Sequence, residues 1–122
     1  MSLSWNRRHL ATINMTHRDA DSMYRLIATS SHVELRRELE RLAVVYAHHR
    51  ATWALAPVEE RRQMDGTRTV AHNAFIDACN ILSRAMASSG EDNSWRTNLG
   101  DDRKAIGDFA CYIHCLVAIS AR

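Results

Sequence analysis

Proline occurs once in this chain, at Pro57, and glycine four times, at Gly66, Gly90, Gly100 and Gly107. Breakers this rare leave long uninterrupted segments. They exclude a many-stranded sheet with its frequent turns and favour helices. The glycines are too widely spaced for a phosphate-cradling loop, and there is no Gly-x-Ser-x-Gly elbow to present a nucleophile.

An excess of one charge is missing too. Sixteen basic and fourteen acidic residues leave a formal charge of +2. That balance argues against a dedicated nucleic-acid binder, which carries a dense basic face. Around Gly66, the positions that a helix-turn-helix keeps small or apolar hold Arg61, Arg62 and Asp65, so nucleic acid is not an expected partner. Long apolar runs are lacking as well. The most apolar stretch, Ala105 to Ala118, contains Asp108 and His114 and reads as a buried helix, so no membrane partner is expected. Arg7 and Arg8 are not followed by the apolar stretch of a secretory signal. The cysteines are three, Cys79, Cys111 and Cys115, and an odd number without a signal predicts free thiols in a cytoplasm.

What is present suits one small domain. Of 122 residues, 46% are apolar, enough for a self-sufficient core. Apolar spacing predicts an all-α bundle of four main, mostly antiparallel helices at 17–29, 32–56, 67–88 and 102–121, with the last helix central. Residues 1–15 read as a short helix or a loose arm. Thr16 with Asp19, and Ser31 with Glu34, have the spacing of capping boxes. Pro57 stops the second helix, and Asp65-Gly66 reads as punctuation before the third. Gly90 has the place of a helix C-cap, and Asp101 and Asp102 suit the start of the last helix.

The second helix carries a large stripe of Leu35, Leu39, Leu42, Tyr46, His49 and Trp53. Its second half adds a small stripe, Ala43, Ala47 and Ala51. One stripe must face the chain's own core. The other needs cover from another helix or from a second subunit, which makes Ala43, Tyr46, Ala47, Ala51 and Trp53 a candidate two-fold interface.

Chemistry-bearing residues gather in three places. Asn73, Asp77, Asn80 and Arg84 share one face of the third helix. With Arg96 and Arg103 from the polar 91–103 segment, and with His114, they form a candidate ligand site; the plainer alternative is a solvated face. Cys111, His114 and Cys115 lie within one turn, and Cys79 or His72 could complete a zinc set. Three ligands on one turn are still one short, so no metal and no cofactor is expected. His48 and His49 point about 100° apart on a helix and do not share a ligand easily. Trp95 and Leu99 are the only large apolar residues of the 91–103 segment and should anchor it, with Arg96 or Arg103 paired to a carboxylate.

The segments Gly-Glu-Asp-Asn-Ser-Trp-Arg, Gly-Asp-Asp-Arg-Lys and Gly-Asp-Phe-Ala-Cys-Tyr-Ile-His-Cys, within residues 90–115, resemble a small bacterial helical family of unknown function. The resemblance implies a helical fold and a bacterial origin and transfers no functional residue. Two functions are therefore open. The first is a non-enzymatic interaction or regulatory module that self-associates or binds another protein. The second is a small-molecule or metal-binding protein, conceivably an enzyme, built on the 91–103 loop and the third-helix stripe. A pocket uniting Asp77, His72 or His114 with that loop would favour the second. A flat apolar patch along the second helix would favour the first.

Overall fold

The chain forms α1 (His17–Ala28), α2 (Val33–Leu55), α3 (Val58–Ser88), α4 (Ser94–Leu99) and α5 (Arg103–Ser120) in a computed structural model that describes residues 17–120. No strand occurs among the described residues, and the fold is an all-α bundle. The segment 1–15 and the Thr16 cap lie outside the described residues.

Paired contacts fix the directions of the first three helices. Tyr24 bonds Glu40, and Arg36 Nη1 donates to the Ala28 carbonyl at 2.7 Å, so α1 and α2 run antiparallel. Trp53 meets Asp65 at one end of the next pair and His32 meets Ser89 at the other, so α2 and α3 form a long hairpin. The α2–α3 and α2–α5 pairs have the most extensive packing. Every residue from 106 to 115 is buried, which makes α5 the central helix. Its Gly107 lets it approach α2 closely, because a Cβ there would come within 2.8 Å of the Tyr46 hydroxyl.

The third helix begins at Val58 and not at residue 67, and it passes through Asp65-Gly66 without a break. The cause is tertiary. Trp53 Nε1 donates to Asp65 Oδ1 at 2.8 Å, and the Arg61 and Arg68 guanidiniums lie 4.8 and 4.5 Å from the Trp53 ring centroid. Arg61 also donates to the Trp53, Ala54 and Ala56 carbonyls, at 3.2, 3.0 and 3.1 Å. The Trp53 carbonyl also accepts the Ala56 amide at 3.2 Å, and the others lie at the end of α2, where carbonyls lack helical partners. A charged stretch with little to bury is thus held helical by a clamp around one tryptophan.

The Ser31–Glu34 box does not form as the spacing predicts. His32 is the N-cap of α2 and makes no side-chain cap bond. The Ser31 hydroxyl instead donates to Glu91, which also accepts from the Ser31 amide at 3.0 Å and from Ser30 Oγ at 2.7 Å. These donors hold the Glu91 carboxyl down at about 2. They tie the α1–α2 turn to the segment after α3.

Gly90 closes α3 as predicted. Its φ of 76° suits glycine, while the Glu91 amide reaches the Met86 carbonyl and the Gly90 amide reaches that of Ala87, at 2.8 and 3.2 Å. Beyond it, the polar segment folds into α4 because Trp95 is fully buried, its Nε1 3.4 Å from Met86 Sδ. Arg96 pairs with Asp101 at 3.2 Å.

Candidate functional site

Asp108 is the natural starting point. It sits in the most apolar stretch of the chain and has no exposed surface. A buried carboxylate is costly unless paired. Its Oδ1 lies 2.8 Å from Arg50 Nη2, and its Oδ2 lies 3.3 Å from Lys104 Nζ. Those two cations border a cavity of about 350 Å³.

Three helices line this cavity: Tyr46 and Arg50 from α2, Arg68, Thr69 and His72 from α3, and Arg103 and Lys104 from α5. The spacing on α3 places 68, 69 and 72 on one side of the helix. Four cations therefore face one recess, and the buried carboxylate that pairs with two of them offsets a single charge. Arg103 is the first residue of α5, and the start of that helix is capped by Asp102, whose Oδ1 accepts from the Lys104 amide at 3.2 Å.

His72 fixes the start of α5. Its Nε2 lies 2.8 Å from the Arg103 carbonyl, which can only accept, so Nε2 carries the proton. Its Nδ1 is buried and has no hydrogen-bond partner among the described residues, and the same holds for Arg68 Nε. Burial lowers the His72 pKa, and Arg103, Arg68 and Arg50 push it the same way, so the ring is held neutral. Burial raises the Tyr46 hydroxyl, against the pull of Arg50 and Arg68.

The polar stripe of α3 divides between several partners. Asn73 accepts from Arg103 at 3.1 Å and Asn80 accepts from Arg96 at 2.7 Å, so both orient arginines of the 96–103 region. Arg84 is exposed and bonds the Asn80 carbonyl on its own helix. Asp77 borders a shallow, mostly apolar groove between α2 and α3 with Leu35, Glu38, Leu42 and Ile81. His114 is buried elsewhere, its ring 5.2 Å from that of His48. Of the pocket residues that would favour ligand binding, the cavity unites His72 with Arg103 and leaves out Asp77 and His114.

The expected interface on the second helix is not a surface. Ala43 and Ala47 have no exposure and Tyr46 has 3%, because α3 and α5 of the same chain cover both stripes. Ala51 packs at the core's edge, and Trp53 is half-buried in its arginine clamp.

Arg50, Arg68, Thr69 and Lys104 escape the sequence reading. One signal for them existed. A lone acid inside Ala105 to Ala118 demands a cation from another helix, and Arg50, set among the apolar positions of the second helix, is such a cation.

The cysteines offer no nucleophile. None of the three forms a disulfide, and all are buried. Burial pushes Cys79 and Cys111 up to about 12 and Cys115 up to about 11. Arg50 Nη1, 3.7 Å from Cys111 Sγ, offsets this only in part. Among the described residues no group of three or more His, Cys, Asp or Glu converges as a metal site. No described helix is long and apolar enough to cross a membrane.

Fold and cavity together define an all-α bundle with a basic recess between three helices. No family model, curated protein or solved structure matches this chain. Its function must therefore be argued from the cavity itself.

Proposed function

We propose that this bundle is a binding protein for a small anionic molecule, seated in the recess between α2, α3 and α5. One observation carries this: four cationic side chains from three helices face a single cavity in which one buried carboxylate offsets one charge. A cleft lined by charges of one sign focuses their field and concentrates counter-ions. An anion drawn from solvent offsets that surplus. Binding without catalysis fits best, since the thiols are pushed far from reactivity. Three buried free thiols suit a reducing compartment such as a bacterial cytoplasm.

Thermal unfolding tests this with sulfate, phosphate and citrate at fixed ionic strength, and chloride as the control. A ligand that binds only the folded state raises its stability with concentration. The polyvalent anions should raise the midpoint above the chloride value. The effect should vanish in Arg103→Gln/Lys104→Gln; this variant takes Lys104 from Asp108 and should start from a lower midpoint, but Arg50 still pairs with Asp108 at 2.8 Å and keeps the chain folded. Equal responses from both proteins would remove the cavity from consideration.

Self-association keeps one specific observation. Leu55 and Val58, on either side of the α2–α3 link, are 82% and 72% exposed. Light scattering of Leu55→Glu/Val58→Glu against the unchanged protein tests whether this end pairs two copies. A monomer in both cases ends that reading.

A further inference from the structure

Taken as the anion site proposed above, on which the following rests, the cavity also narrows the anion. We infer that its ligand is a small, free phosphomonoester.

Direction of approach is the first reason. Cations reach the recess from three sides: Arg50 from α2, Arg68 from α3, and Arg103 and Lys104 from α5. A carboxylate is planar, and two cations suffice for it. Asp108 shows this within the same protein, with Arg50 on one oxygen and Lys104 on the other. A phosphate group presents its oxygens tetrahedrally and accepts donors from several sides at once.

Charge is the second. Asp108 accounts for one of the four cations, and three positive charges remain. A phosphomonoester carries about −1.5 to −2 at neutral pH and offsets most of that surplus. A single carboxylate offsets far less.

Unused hydrogen-bonding capacity is the third. Arg68 Nε, a donor, is buried without a hydrogen-bond partner among the described residues, and a phosphate oxygen can meet it; His72 Nδ1, the unprotonated nitrogen of its ring, accepts only from a hydroxyl, which the body of the ligand would supply.

Size limits the rest of the molecule. A cavity of about 350 Å³ lies near the lower end of the roughly 300–1,000 Å³ of ligand pockets. Beside the phosphate there is room for a body of a few carbons or one sugar, but not for a dinucleotide. The recess has buried Tyr46 and His72 in its wall, which suits a free molecule better than a headgroup held at a bilayer surface.

Isothermal titration calorimetry on the full chain tests this with four probes: glycerol 3-phosphate, inorganic phosphate, succinate, and phosphatidylcholine vesicles containing phosphatidic acid. Glycerol 3-phosphate should bind, inorganic phosphate should compete, and succinate should bind at least tenfold more weakly. Removing charge-assisted bonds in Arg103→Gln/Lys104→Gln should weaken binding roughly tenfold or more. Arg68→Gln should do the same from another helix. Arg84→Gln removes a charge of the same sign outside the cavity and should change nothing. Succinate binding as tightly as the phosphoester, with the same dependence on Arg103 and Lys104, would overturn the phosphate inference and leave the anion site standing. Vesicle binding alone, lost in the double variant, would overturn the free ligand and retain the phosphate chemistry. No heat from any probe would overturn both readings. Phosphoester binding indifferent to all cavity substitutions would place it outside this recess and overturn the inference.

Discussion

The two ends of the α2–α3 hairpin are built on different principles. At the inner end, Ala71, Phe75, Ala78, Cys79, Leu82 and Met86 share one face of α3 and expose at most 7% of their surface. At the outer end, Leu55, Val58 and Val70 expose 82%, 72% and 69%. The same helix is held at one end by burial and at the other by the arginines and aspartate around Trp53. Arg68 and Thr69 at the last turn of the outer end and His72 at the first turn of the inner one line the cavity. A fully buried stretch of helix cannot present four cations to solvent, and a fully exposed one cannot hold them still. The change-over supplies both conditions. Backbone is fixed from the inner side, and charged side chains have room on the outer side.

The inner end should fail first and completely under truncation. Phe75 has no exposed surface and lies in the main core. Phe75→Ala removes that packing and leaves a cavity, at about 3–5 kcal/mol. Urea unfolding followed by circular dichroism should show the whole bundle lose stability in one transition. A loss below about 1 kcal/mol would mean that the core collapses around the gap and that the inner end is less well packed than described.

Truncation at the outer end should cost less and act locally. Trp53→Ala removes two arginine–ring contacts, each worth about 0.5–1 kcal/mol at such sites, together with the Asp65 bond. Hydrogen exchange should accelerate across 54–68 while 75–86 stays protected. Uniform acceleration along α3 would erase the distinction between the two ends.

The sequence shows one end far better than the other. Where burial governs, apolar spacing places the helix well. Phe75, Ala78 and Leu82 fall on the expected face, and the last helix is central as its two apolar sides imply. Where a clamp governs, spacing says little. Val58 to Met64 has few apolar residues and Asp65-Gly66 looks like a stop, so the start of α3 falls nine residues late in the sequence reading, at 67 instead of 58. The cavity is only partly legible for a related reason. Of the residues singled out from the sequence, His72 and Arg103 line the cavity, while Asn73, Asn80 and Arg96 do not. Arg68 shares a helix face with His72, but Arg50 and Lys104 join them only through the register between α2, α3 and α5, which local spacing does not encode. Ser31 illustrates the same limit: it has a capping spacing, yet Glu91, sixty residues away, takes its hydroxyl.

Mild acid should separate the two ends. Burial holds His72 and His114 below the ordinary value of 6.5, with the arginines around His72 and with His48 beside His114 acting in the same direction. Both rings stay neutral in the fold while the unfolded chain takes up protons. Their contribution is therefore complete above pH 6.5 and declines as pH falls from there toward the depressed folded values. Glu91 acts lower down: its contribution is present above 4.5 and is lost as pH falls toward about 2. Urea midpoints measured from about pH 7.5 to 5.5 should fall, and the slope should flatten in His72→Gln/His114→Gln. The Trp53 clamp contains no histidine, so exchange across 54–68 should respond less over that range. A pH-independent midpoint would show that the two imidazoles are not held neutral.

The smallest effect should have the opposite sign. Gly66 lies inside α3 at the outer end, is exposed, and would find nothing within 4 Å of an added Cβ. Glycine in a helix interior costs about 0.5–1 kcal/mol relative to alanine, because the unfolded chain gives up more freedom. Gly66→Ala should therefore stabilise the chain by up to that amount. How it does so sharpens the comparison. If the outer end folds and unfolds with the core, the gain appears in the global urea midpoint. If it opens by itself under the Trp53 clamp, the gain appears as slower exchange across 58–70 and leaves the global midpoint almost unchanged. The exposures of Leu55, Val58 and Val70 favour the second outcome, since little apolar surface couples this end to the core. A destabilised variant would mean that α3 is not continuous at Gly66, and that the punctuation read from Asp65-Gly66 is real in solution.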